Sequence, residues 1–167
     1  RKRCKCSVIG RSKKMKILVL GSNGQLGRSL NDQLKSTDHE VIYTSREQID
    51  IADFEQTKNK IKKISPYLII NATAYTAVDK AEEDQKTANL INHLAVKNIA
   101  YTCNQQGCWL IHFSTDFVFD GSSTIPYKES DKTNPQGVYG ETKYNGELAI
   151  EASGCKYIIL RTAWVFS

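Results

Sequence analysis

Tyr139-Gly140-Glu141-Thr142-Lys143 sets a phenol and an amine four positions apart. On a helix that spacing puts both side chains on one face. A phenol ionises near pH 10, too high for acid–base work near neutrality. A nearby ammonium stabilises the phenolate and lowers that value. The tyrosine can then donate its proton to a carbonyl oxygen as hydride reaches the carbon, and recover it by relay. Upstream, Ser114-Thr115-Asp116 offers hydroxyls, and Thr115 can hydrogen-bond the same carbonyl oxygen. Y-x-x-x-K occurs by chance on many helices, so its weight comes from what surrounds it.

A second group of residues binds rather than reacts. Gly21-Ser22-Asn23-Gly24-Gln25-Leu26-Gly27 is a G-x-x-G-x-x-G turn between a strand and a helix. Gly21 permits the tight turn, Gly24 lets a pyrophosphate approach the backbone, and Gly27 lets helix and strand pack closely. The helix N-terminus then offers N–H groups to phosphate charge. The spacing is one residue longer than the G-x-G-x-x-G fingerprint. The 2′-position of a bound dinucleotide is read near the end of the second strand. There Ser45 and Arg46 stand where an NAD enzyme usually has an acid. Arg46 can pair with a 2′-phosphate and Ser45 can hydrogen-bond it, which favours NADP over NAD. Glu47 and Asp50 nearby keep NAD open.

Both groups need strands that end at one edge. From Met15 the chain alternates strand and helix signals. Strands are expected at 16–20, 40–44, 67–71, 108–113 and 157–160. Helices are expected at 25–36, 54–63 (capped by Asp53 and ended by Pro66), 80–106 (one long amphipathic helix stopping at Gly107) and 139–152. A long polar loop is expected over 114–137. This alternation implies an α/β fold, a doubly wound parallel sheet of Rossmann-like type, with ligands at the carboxyl ends of the strands.

The chain has 167 residues, which suits one domain. Hydrophobic residues make up 40% and charged residues 25%, the balance of a folded protein rather than a disordered one. The apolar runs are far shorter than a membrane span. The net charge of +5 hints at nucleic acid, but residues 1–14 hold seven basic residues and no acid. The other 153 residues carry 16 basic and 18 acidic side chains. Met15 is therefore read as the natural start and residues 1–14 as an upstream or non-native extension. A basic nucleic-acid arm is the alternative. No apolar run follows the charges, so no secretory signal is read there. Cys4, Cys6, Cys103, Cys108 and Cys155 are odd in number and lack zinc-ligand spacing. They predict neither a metal site nor a disulfide scaffold, and a cytoplasmic location follows as the default.

Together the segments 15–27, 70–82, 112–121, 126–147 and 160–166 resemble the extended short-chain dehydrogenase/reductase family. Within it they are similar to the dTDP-4-dehydrorhamnose reductase family. NATAYTAVDKAE, STDFVFDG and VYGETK, in that order, carry the resemblance from Met15 to the end of the chain. It implies that Thr115, Tyr139 and Lys143 form a catalytic triad. It places Gly24, Gln25 and Leu26 on the cofactor pyrophosphate, with Asn23 in the same turn, and Asp50 and Ile51 near the adenine. Ala74, Tyr75 and Thr76 would line the nicotinamide half, with Phe113 beside the cofactor. Thr115, Asp116 and Trp164 would face the sugar nucleotide. The implied reaction is reduction of the 4-keto group of dTDP-4-dehydro-β-L-rhamnose by NADPH or NADH, for cell-surface polysaccharide. The family also carries a C-terminal substrate domain that this chain stops before, so the fragment is expected to bind cofactor and turn over little substrate. A homodimer fits the family; a nucleic-acid or membrane partner does not. The alternatives are another nucleotide-sugar epimerase or dehydratase, or a non-catalytic subunit like the regulatory β subunit of methionine adenosyltransferase.

The remaining candidates have plainer readings. His39 reads as a loop residue and His93 as a surface or packing residue. His112, at the end of the fourth strand, could touch the site. Cys103, Cys108 and Cys155 read as small packed side chains. Asp79, Glu82 and Glu83 read as a solvated acidic face; Mg2+, described as required by some relatives, would be the other reading.

Overall fold

Five parallel strands make one sheet: β1 (Lys16–Leu20), β2 (Glu40–Thr44), β3 (Leu68–Asn71), β4 (Trp109–Thr115) and β5 (Lys156–Thr162). Their order is β2-β1-β3-β4-β5 in the computed structural model, which describes residues 14–163. Residues 1–13 and 164–167 fall outside it, and with them Cys4, Cys6, Trp164 and nearly all of the basic segment. Alternate positions point to opposite faces of the sheet. Leu18, Leu20, Ile69 and Leu110 join Ile61, Ile99 and Ile150 in the larger core. Ile17, Val19 and Ile70 make the smaller one, with Leu30 and Leu34 packed against it. The sheet is thus covered on both sides, as doubly wound strands require. Coverage thins at the β5 edge, where Ile158 and Leu160 stay partly exposed.

Local chemistry sets most element ends. The helix α1 spans Gln25–Leu34, and α2 spans Phe54–Ile64. Asp53 caps α2 by accepting the Gln56 N–H at 2.9 Å. Ser65 closes it in the left-handed region (φ 49°), directly before Pro66. The expected single helix over 80–106 is instead broken. It comprises α3 (Val78–Glu83), α4 (Gln85–Asn89), a π-helical turn (Leu90–Leu94) and α5 (Ala95–Gln106). Asp84 leaves the helical region at φ −114°, ψ 53°, and its carboxylate accepts the Thr87 N–H, starting a new helix. Periodicity hides the break because Ala81, Ala88 and Ala95 all remain fully buried. The last helix, α6, spans Val138–Ser153. The polar loop before it holds one 3-10 turn, Asp116–Val118. Cys103, Cys108 and Cys155 are free and buried. No helix of the described residues is long and apolar enough to cross a membrane.

Candidate active site

From β1 the chain steps to β2 on one side and later to β3 on the other. A crevice therefore opens at the carboxyl ends of β1 and β3. Two cavities meet there, of about 480 and 390 Å3, and Gly24, Ala72, Thr73 and Ala74 line both.

The glycine turn shapes one wall. Gly21 takes φ +82°, and the N–H groups of Gly21 and Ser22 donate to the Thr44 carbonyl, tying the turn to β2. A Cβ at Gly27 would lie 2.3 Å from the Gly21 oxygen, so this glycine lets α1 sit on the turn and lines neither cavity. Gly24 is different: a Cβ there meets only the Gly21 oxygen, at 3.5 Å, and its other side faces open cleft. Among the described residues no side chain caps the N-terminus of α1, and its first turn holds no acid. Its positive end is thus left for an anion. Gln25 and Leu26 line the larger cavity and Asn23 the smaller.

At the far end, Arg46, Asp50 and Ile51 line the smaller cavity. Arg46 pairs with Asp50 at 3.5 Å and is otherwise exposed. Ser45 is bonded within its own turn. Its hydroxyl donates to the Glu47 carboxylate, and it lines neither cavity. Past β3, Ala74 borders both cavities, Tyr75 the smaller and Thr76 the larger.

The reactive groups gather in the larger cavity. The end of β4 brings Phe113, Thr115 and Asp116, and α6 brings Tyr139 and Lys143. The Thr115 hydroxyl accepts the Phe117 N–H at 3.2 Å and donates to Asp116 at 3.1 Å, and it lines the same cavity as the Tyr139 phenol. The Phe117 ring meets Tyr139 edge-on at 5.6 Å. This closeness needs Gly140, where a Cβ would fall 2.2 Å from the Phe117 oxygen.

Lys143 corrects the sequence reading. Among the described residues no hydrogen bond joins its ammonium to the phenol. Nζ donates to the Phe113 carbonyl at 2.6 Å and lies 3.4 Å from His112 Nε2, with the residue 2% exposed. Burial raises the Tyr139 pKa; the nearby Thr115 side chain opposes that, and the Asp116 charge adds to it. Burial brings Lys143 down to about 8, against the pull of Glu147. The i, i+4 spacing places both stems on one face, but the flexible lysine stem finds a buried acceptor on β4 instead. Glu147, one turn further, is itself buried and takes a two-pronged bond from Arg161 of β5.

Four further residues shape the site: Asn92 and Glu82, which their spacing gave no role in it, His112, which the sequence puts within reach of it, and Ser114, whose hydroxyl the sequence places at the ligand edge. Asn92, 1% exposed, sits in the π-helical turn. Its amide accepts the Tyr75 N–H and donates to the Tyr75 carbonyl, fixing the loop after β3, and also donates to Thr142 of α6. An amide on the buried face of an amphipathic helix was its one sequence signal. Ser114 Oγ is buried on the larger cavity's wall and has no hydrogen-bond partner among the described residues. Such orphans are uncommon. With the uncapped α1 end and the open side of Gly24, it makes the cleft fit a dinucleotide. Glu82 accepts the Val138 N–H at 2.8 Å and so caps α6. Among the described residues no group of three or more His, Cys, Asp or Glu side chains could hold a metal ion, and the 79–83 acids make no such site. His112 is fully buried between Asn71 and Lys143. His93 instead pairs with Asn89, and His39 accepts the Met15 N–H.

Strand order, glycine turn and cleft define a Rossmann-like NAD(P)-binding domain. The chain belongs to the family described as RmlD substrate binding domain, whose profile matches residues 15–167. It is 40% identical over 156 residues to dTDP-4-dehydrorhamnose reductase of Escherichia coli K12, covering 92% of this chain and 52% of that protein. A crystal structure of a dTDP-4-dehydrorhamnose reductase from Clostridium acetobutylicum superposes with TM-score 0.89 at 43% identity, over 91% of this chain and 54% of that one. The Bacillus anthracis reductase, solved in complex with NADP, gives TM-score 0.89 at 33% identity, over 92% of this chain and 54% of that one. The chain thus spans about half the length of these relatives.

Proposed function

We propose that residues 15–167 are the cofactor-binding part of a reductase that converts dTDP-4-dehydro-β-L-rhamnose to dTDP-β-L-rhamnose, with residues 1–14 lying outside it. The supporting observation is that Thr115, Tyr139 and Lys143 line one cavity, whose wall continues into the glycine-turn cleft. NAD(P)H, when bound, supplies the hydride. The α1 N-terminus and Gly24 would hold its pyrophosphate, with Asn23, Gln25 and Leu26 alongside. Arg46 would meet a 2′-phosphate, and Asp50 and Ile51 the adenosine. Ala74, Tyr75, Thr76 and Phe113 would border the other half. Thr115 and Tyr139 would bond the sugar's 4-keto oxygen from one side, and Tyr139 Oη would give it the proton. Lys143 would return a proton to that phenol. Asp116, and Trp164 outside the described residues, would face the sugar nucleotide.

The test is a chain extended through the half of the relatives not matched here, assayed for NADPH oxidation with the 4-keto sugar nucleotide. Turnover is expected. Tyr139→Phe should lower kcat by at least about 100-fold, in the range that a positioned acid contributes, while NADPH binding stays nearly intact. Full activity in that variant rejects Tyr139 as the acid. No turnover in the extended wild type rejects the assigned substrate.

A further inference from the structure

Two polar side chains lie side by side on the sheet where β3 ends. In register, Asn71 of β3 pairs with His112 of β4, both fully buried in an otherwise apolar layer. The pair has a direction. The Thr73 N–H, from the loop bordering both cavities, donates to Asn71 Oδ1 at 3.2 Å, as does the Thr73 hydroxyl. That fixes the amide: its Nδ2 faces His112 and lies 3.2 Å from Nδ1. An amide N–H there makes Nδ1 an acceptor, so the single proton of a neutral imidazole sits on Nε2. Nε2 is the nitrogen 3.4 Å from Lys143 Nζ.

We infer that His112 is a positioning residue: held by Asn71 with its proton on Nε2, it backs Lys143 with an N–H and makes the lysine ammonium a ready proton donor rather than a fixed counter-charge. The physical reason is a choice of partners. As an ammonium, Lys143 satisfies one acceptor, the Phe113 carbonyl, and meets a second donor in His112. As an amine, it keeps the Phe113 bond and accepts the His112 N–H. Loss of a proton from Nζ to a neighbouring phenolate is therefore matched by a new hydrogen bond, and solvent later restores the proton. The other charges facing Lys143 are Glu147, which favours the ammonium, and Arg161, which occupies that carboxylate. Tyr139 lies one turn before it on α6, with Asp116 acting on the phenol. Burial and the Lys143 charge together keep His112 neutral.

This inference rests on reading Lys143 as part of the reducing site, yet its test needs no turnover. Long-range 1H–15N spectra of the 167-residue chain should show His112 neutral with the proton on Nε2. The opposite tautomer, or an imidazolium at pH 7, overturns the proposal without any variant. The 13Cε signal of Lys143, assigned with Lys143→Met, should titrate upward by on the order of one unit in His112→Phe, which removes the donor and keeps the volume. An unchanged titration also overturns it. In the extended chain, the alkaline limb of the pH–rate profile should move the same way. If the spectra agree and no 4-keto sugar nucleotide is reduced, the substrate reading fails and the role of His112 stands. If turnover is normal and the titration does not move, the reverse holds.

Discussion

Glu82 and Val138 are 56 positions apart, yet the Glu82 carboxylate accepts the first N–H of α6 at 2.8 Å. A carboxylate at a helix N-terminus satisfies an orphan donor and meets the positive end of the helix dipole. The next residue is Tyr139. The segment after β3 thus holds the helix that carries the phenol. Glu82→Ala should cost about 1 kcal/mol, the usual worth of a cap, while Glu82→Gln should cost less. Urea unfolding of both variants decides it, and an unchanged stability in Glu82→Ala would mean that the cap contributes nothing.

Two glycines of one turn should fail differently. Gly27→Ala drives a Cβ into the Gly21 carbonyl and should destabilise by about 1–3 kcal/mol through overpacking. Gly24→Ala has room and an ordinary φ of −71°, so the fold should be nearly untouched while NADPH binding weakens. Thermal melts paired with cofactor titrations separate the two. Equal melting losses would contradict the assignment of one glycine to packing and the other to the cleft.

Lys143 should give the chain a measurable pH dependence. Its folded pKa is about 8 against 10.5 when unfolded. Between these values the unfolded chain binds more protons, so this contribution to stability rises with pH from about 8 to 10.5. Below 8 the full penalty of the buried charge applies, about 3 kcal/mol. Lys143→Met lacks that penalty. Its stability relative to wild type should fall by about the same amount between pH 7.5 and 10.5. A difference that stays flat across that range would show that the lysine titrates normally.

Arg46 sits on the rim of the smaller cavity, and among the described residues its ion pair is with Asp50. Arg46→Asp should weaken NADPH by roughly tenfold or more, the worth of a charge-assisted bond, and leave NADH nearly unaffected. Equal effects on both cofactors would remove Arg46 from the 2′-phosphate.

How much of this was legible beforehand follows from range. Strands β1 and β2 and the start of α2 fall where sequence places them, because apolar runs, Asp53 and the Ser65-Pro66 stop act through neighbours in the chain. The glycine turn was legible for the same reason: its spacing is a local steric requirement. The break at Asp84 was missed although its cap is local, because the buried alanines keep helical spacing straight through it.

Sequence by itself determined the fold class, the cleft-forming turn and the side of the sheet on which Thr115, Tyr139 and Lys143 meet. Tertiary structure decided what those groups do to one another. The lysine stem can reach several acceptors, and only the packing of α6 on β4 selects the Phe113 carbonyl over the phenol. Burial then raises the tyrosine's pKa, and the Asp116 charge adds to it, with no lysine contribution to offset them. Glu82, Asn92 and His112 gain their roles only through partners at least 17 residues away, from a helix start, a loop and a lysine. No spacing in the chain encodes such contacts; folding creates them by burying polar groups that must then find one another.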